Sequence, residues 1–183
     1  MMPAARAWML AALVTASLVQ PVLGAAESRL VDQYGHPLDA GELAGHWLLV
    51  YFGYTSCPDV CPAALTKMTA VLERLGPAAD PILPLFVSLD PDRDSPAKLR
   101  EFAARFYPRL RALTGSPAAV AEAAQTFGVP WKRRSPSADF FDHGMLMYLA
   151  TPDGRVVQAL HPQQSVAELA AQIQTRLGQT AVR

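Results

Sequence analysis

Six apolar residues in a row, Trp47-Leu48-Leu49-Val50-Tyr51-Phe52, run straight into Gly53-Tyr54-Thr55-Ser56-Cys57-Pro58-Asp59-Val60-Cys61-Pro62. A strand with one wet face alternates apolar and polar residues. An unbroken apolar run marks a strand covered on both faces, as in the middle of an α/β sheet. The period then changes: Leu65, Met68, Leu72 and Leu75 recur at helical spacing. The turn between this strand and this helix lies at the strand's carboxyl end, where open α/β sheets place their chemistry. It holds the only two cysteines of the 183-residue chain.

Two prolines shape that turn. A residue before proline is pushed out of the α region, so Cys57 and Cys61 are expected to be extended or turn-like. Pro62 suits the first helical position, which makes Cys61 the expected N-cap of a helix over 62–75. Free N–H groups and the positive helix end would then favour thiolate at both sulfurs. Three readings follow: a structural disulfide, a redox dithiol or a soft-metal site. One small loop in a chain with an ample core needs no disulfide staple. Redox dithiols usually have two intervening residues, and here there are three.

The chain is long enough for one domain with a real core, and 51% of its residues are apolar. The formal net charge is zero, so nothing in the electrostatics points to nucleic acid. Lys132-Arg133-Arg134 reads as a solvated loop. At the N-terminus, Arg6 precedes a largely apolar stretch from Trp8 to Val19, and small residues follow up to Ala26. This is the pattern of an export signal, short for a membrane span of roughly 20 residues. Residues 1–26 are therefore expected to be a signal peptide or N-terminal membrane anchor, and 27–183 the folded domain. The expected location is the periplasm, free or anchored at the inner membrane facing it. There a free dithiol must be kept reduced or protected by a metal.

Taken in order, residues 30–38 look like a short hairpin, 82–89 a second buried strand and 90–96 a polar loop. Ser95 and Ser116 each precede a proline and start a helix, with a short edge strand over 111–113 between them. Residues 128–141 read as irregular, 145–150 and 155–160 as a hairpin around Pro152-Asp153-Gly154, and Ser165 to Glu168 as the capping box of a last helix. The predicted class is α/β, a thioredoxin-like fold with an N-terminal β-hairpin and a helical insertion before the C-terminal hairpin.

In that arrangement the loop before the last hairpin faces the cysteine turn, and here it holds Asp142-His143-Gly144. Of four histidines, His36, His46 and His161 are expected at the surface, whereas topology sets His143 opposite the thiols. Ordinary thioredoxins carry a cis-proline in this loop, but residues 139–148 contain no proline. That argues against a general disulfide oxidoreductase. Two thiolates and an imidazole form a soft, three-coordinate set. Zinc asks for a fourth ligand when structural, and none is evident; copper(I) or copper(II) fits better. Asp142 is a candidate to orient the His143 ring. Met145 and Met147 are soft donors at alternating strand positions, and core packing is the expectation for both. A peroxidase-like reading of Thr55-x-Cys57 fits poorly beside Pro58 and Cys61.

Tyr51-Phe52-Gly53-Tyr54-Thr55-Ser56-Cys57-Pro58-Asp59-Val60-Cys61-Pro62 strongly resembles the signature of the SCO/SenC copper chaperones. Residues 87–96 resemble the family's second block, and Asp142-His143 with Met147-Tyr148-Leu149 and Pro152-Asp153-Gly154 its third. The resemblance implies a thioredoxin-like domain binding one copper ion per chain through Cys57, Cys61 and His143. It also implies a role in assembling the dinuclear copper centre of cytochrome c oxidase. The implied partner is the copper-receiving oxidase subunit, or another exported copper protein. In the alternative the domain is a thiol–disulfide reductase. Cys57 and Cys61 would then be the redox pair that keeps the target's cysteines reduced, with a thioredoxin-like reductant as a further partner. Gly144-Met145-Leu146-Met147 departs from the small and hydroxyl residues the family commonly carries after the histidine.

Overall fold

The computed structural model describes residues 30–133 and 141–180. The expected signal or anchor over 1–26 lies outside them. Among the described residues no helix is long and apolar enough to cross a membrane.

The apolar run forms β2 (Trp47–Gly53), and every one of its residues is buried. Its side chains alternate between two cores. Trp47, Leu49 and Tyr51 join one cluster; Leu48, Val50 and Phe52 join the other. Both faces are dry, so no polar residue is tolerated along the strand.

The sheet has six strands in the order β1-β4-β3-β2-β7-β8. These are β1 (Leu30–Asp32), β3 (Ile82–Ser88), β4 (Arg111–Gly115), β7 (Met147–Ala150), β8 (Val156–Leu160) and the central β2. β2, β3 and β4 run parallel, whereas β1, β7 and β8 are antiparallel to their neighbours. On one face lie α2 (Val60–Leu75), α3 (Pro96–Ala103) and α5 (Val166–Thr180), which bury Leu65, Met68, Leu72, Leu99, Phe102, Leu169 and Ile173. The other face is covered by α4 (Pro117–Thr126), through Val120 and Ala124, and by Leu43 of the short α1 (Ala40–Leu43). Each buried leucine or phenylalanine side chain contributes about 1.5–3 kcal/mol. Ser95 and Ser116 cap α3 and α4 by accepting the Lys98 and Ala119 N–H groups. Ser165 and Glu168 exchange the reciprocal bonds of a capping box before α5. This is the α/β, thioredoxin-like order that the sequence predicts.

Four details differ from the sequence reading. The N-terminal hairpin is a tight turn with a single bridge, Val31 to Pro37, and β1 forms its ladder with β4 instead. β4 is therefore an interior strand, not an edge. Residues 128–141 are not wholly irregular: β5 (Trp131–Arg133) pairs antiparallel with β6 (Phe141–His143). Three-residue strands are too short to show a period of two, so this ribbon leaves no pattern in the sequence. It also takes in Lys132 and Arg133 of the basic run. Finally, β7 begins at Met147, which leaves Met145 ahead of the strand and 40% exposed. Met147 packs in the core as expected, and Met145 does not.

Candidate metal centre

Gly53 closes β2 because nothing larger fits. A Cβ there would stand 2.8 Å from the Cys61 sulfur, 3.1 Å from the Phe86 ring and 3.2 Å from the Tyr51 ring. The sulfur of Cys61 thus lies flat on the end of the central strand, fully buried.

The helix begins two residues earlier than the prolines suggest. α2 starts at Val60, Asp59 takes the N-cap position without a side-chain cap, and Cys61 is already helical. Pro62 sits at the third position, whose N–H also lacks an intrahelical acceptor, so the helix tolerates it there. The expected N-cap role of Cys61 is therefore wrong. The capping is done by Cys57 instead: its sulfur accepts the Cys61 N–H at 3.4 Å. Both cysteines are free thiols.

The expected thiolate is also overturned at Cys61. Burial pushes this thiol up to about 12; proximity of Cys57 adds to the rise, and the hydrogen bond donated by the Tyr51 hydroxyl opposes it. Loss of solvation at a fully buried sulfur outweighs the helix end, whose influence fades within one turn. Burial likewise raises the Tyr51 phenol.

The ribbon delivers the histidine. β5 pairs Trp131 with His143, and the Gly144 N–H bonds the Pro130 carbonyl at 3.0 Å, which fixes the strand end beside the cysteine turn. His143 Nε2 stands 3.8 Å from Cys61 Sγ across 82 residues of sequence. The other ring nitrogen, Nδ1, is 2.9 Å from the Gly144 carbonyl oxygen. A carbonyl only accepts, so Nδ1 carries the proton and Nε2 turns its lone pair toward the sulfur. The rings of Tyr51 and Tyr54 flank the imidazole in T-shaped contact, with ring centroids 6.3 and 5.9 Å away. The backbone of Gly144 thus supplies an orienting acceptor, the role for which the sequence offered Asp142 as a candidate beside the reading of a solvated carboxylate; the Asp142 side chain lies outside what is described. His36, His46 and His161 are exposed, as expected.

Two soft donors at 3.8 Å suit a metal set between them. With the bond lengths of a d10 ion such as zinc, about 2.3 Å to sulfur and 2.0 Å to nitrogen, a trigonal angle separates the donors by roughly 3.7 Å. Among the described residues no three His, Cys, Asp or Glu side chains are already drawn together around one point. Cys61 and His143 hold such a spacing, and the Cys57 sulfur lies beside them, accepting the Cys61 N–H.

The sequence missed one residue. Asp94, read as part of a polar loop, is fully buried. Its carboxylate accepts the Thr55 N–H at 2.9 Å, the Thr55 hydroxyl, and the Ser88 hydroxyl at 2.6 Å. It thereby ties the loop that carries Cys57 to the end of β3. Ser88 in turn accepts the Asp90 N–H. Apart from its place in the block that resembles the family's second motif, its sequence signal was the density of Asp, Ser and Thr around two prolines, which reads equally well as a solvated turn.

Comparison with known proteins bears on the fold and the family. The chain is 37% identical to the mitochondrial SCO2 homologue of Mus musculus over 147 residues, which cover 76% of this chain and 57% of that protein. It thus spans little more than half the length of that relative. The fold matches copper-bound ScoI of Arabidopsis thaliana with a TM-score of 0.76 and 30% identity, covering 82% of this chain and 96% of the other. Copper-bound ScoI of Bradyrhizobium japonicum matches with a TM-score of 0.72 and 36% identity, at the same coverage. The SCO1/SenC family pattern matches residues 21–178, and the chain belongs to that family.

Proposed function

We propose that this protein is a copper metallochaperone. It holds one copper ion through Cys57, Cys61 and His143 and hands it to the copper-receiving subunit of cytochrome c oxidase or to another exported copper protein. The observation that carries the reading is the Cys61–His143 approach, 3.8 Å with the ring already turned the right way. The copper-bound relatives in plant and bacterium support the choice of metal. So does the softness of the donor set. Copper, not the fold, removes the Cys61 proton, since a coordinating thiol is deprotonated outright. Binding therefore releases protons and strengthens as pH rises. Residues 1–26 serve as export signal or anchor, which sets the domain in the periplasm.

The test is a competition titration of the domain with copper(I) against a strong chelator. Tight one-to-one binding, weakened at least tenfold by His143→Ala, is expected. Binding indifferent to that change overturns the three-donor set.

One observation favours a second reading, a thiol–disulfide reductase for the target's cysteines. Two free thiols lie side by side at a helix start in a thioredoxin-like fold. Reductase turnover needs both cysteines and tolerates His143→Ala, so the same variant separates the two.

A further inference from the structure

We propose that Met145 and His161 form a second, weaker station for monovalent copper beside the main set, through which the ion enters and leaves. The inference rests on the copper reading above. Among the described residues four large hydrophobic side chains are exposed, and two of them, Val60 and Met145, line one shallow cavity of about 260 Å³. The same residues sit against the main site in sequence. Val60 precedes Cys61, and Met145 follows His143 by two. An exposed thioether in this position is not explained by packing, because Met147 already fills the core place in that segment.

The cavity supplies a second donor of the right kind. His161 lines it together with Asp59, Lys67 and Gln163. Thioether and imidazole are both acceptable to copper(I), and methionine's three rotatable bonds let its sulfur reach across. The station is weak for two reasons. Asp59 and Lys67 cancel in formal charge, so no field holds a cation. And His161 Nδ1 accepts the Gln163 N–H at 3.3 Å, which favours the tautomer with the proton on Nε2. Metal binding at Nε2 requires that bond to be given up. His143 has the opposite arrangement, its Nε2 lone pair already in place. Copper therefore passes downhill from the outer pair to the inner set. Accessibility favours such a step: Cys61 is fully buried and His143 half-buried, whereas Met145 and His161 are exposed and offer a partner's ligands a more open place to take the ion. The ion changes ligands one at a time, stays copper(I) throughout, and no electron is transferred.

The test uses the Cys57→Ser/Cys61→Ser protein with carbon-13 methionine methyl labels, titrated without oxygen with copper(I) as its acetonitrile complex. The Met145 methyl and the His161 ring resonances are expected to move together and saturate at one-to-one. The buried Met147 methyl stays put and reports that the variant is folded. Met145→Leu should abolish the movement at His161, and His161→Gln that at Met145. A still Met145 methyl, or one that moves equally in the His161→Gln background, overturns the station. With both cysteines present, Met145→Leu should slow copper loading about tenfold at unchanged final affinity; an unchanged loading rate overturns the entry role. The first titration lacks both thiols of the main set, and the His161→Gln arm separates copper at the outer pair from copper at the remaining His143, so its outcome does not depend on whether the three-donor set forms.

Discussion

Replacing Gly53 by alanine tests whether the end of β2 sets the sulfur position. The added methyl would stand 2.8 Å from Cys61 Sγ, against 3.4 Å for the nearest ordinary contact. Something must therefore yield by about 0.6 Å. The Phe86 and Tyr51 rings beside it are themselves fully buried and already tight, at 3.1 and 3.2 Å. A close-packed interior gives little, so the sulfur is the atom that moves. Overpacking of this kind costs about 1–3 kcal/mol of stability. A donor shifted by this much leaves the 3.8 Å spacing to His143, and copper(I) affinity should fall at least tenfold, equivalent to about 1.4 kcal/mol. Urea unfolding followed by circular dichroism reads the first quantity, and chelator competition the second. Stability within 0.3 kcal/mol of the parent together with unchanged copper affinity would refute the account of why glycine is there.

Two further outcomes follow from the same geometry. Asp94→Ala leaves the Thr55 and Ser88 donors without their carboxylate and should cost about 2–4 kcal/mol in urea unfolding, with Asp94→Asn losing less because one oxygen still accepts; a loss below 0.5 kcal/mol would show that the loop does not depend on it. Cys61 should make the fold sensitive to alkali. Its thiol is raised from 9.0 to about 12, so above pH 9 the unfolded chain sheds a proton that the folded chain keeps. The contribution is complete below pH 9 and is lost between 9 and about 12, so Cys61→Ala should flatten that alkaline slope in pH-dependent unfolding.

The fold was legible wherever burial leaves a period. The all-apolar β2, the 3.6-residue spacing of α2 and the serine caps of α3 and α4 each follow from a local rule that the chain's own residues satisfy. The start of α2 was misread because proline's preference for the first turn does not say which position in that turn it takes. The ribbon of β5 and β6 was missed because its pairing joins two three-residue segments with no pattern of their own.

For the candidate site, the sequence by itself determined the chemistry: two thiols beside a helix start and one histidine in a loop that the order of elements carries to the same end of the sheet. Tertiary structure alone decided the distance between them, the ring orientation set by the Gly144 carbonyl, and the rise of the Cys61 thiol with burial. It also decided the role of Asp94 and the exposure of Met145. The physical reason is common to all of these. Donor type and helical spacing are properties of a segment, whereas desolvation and hydrogen-bond partners belong to neighbours that are remote along the chain.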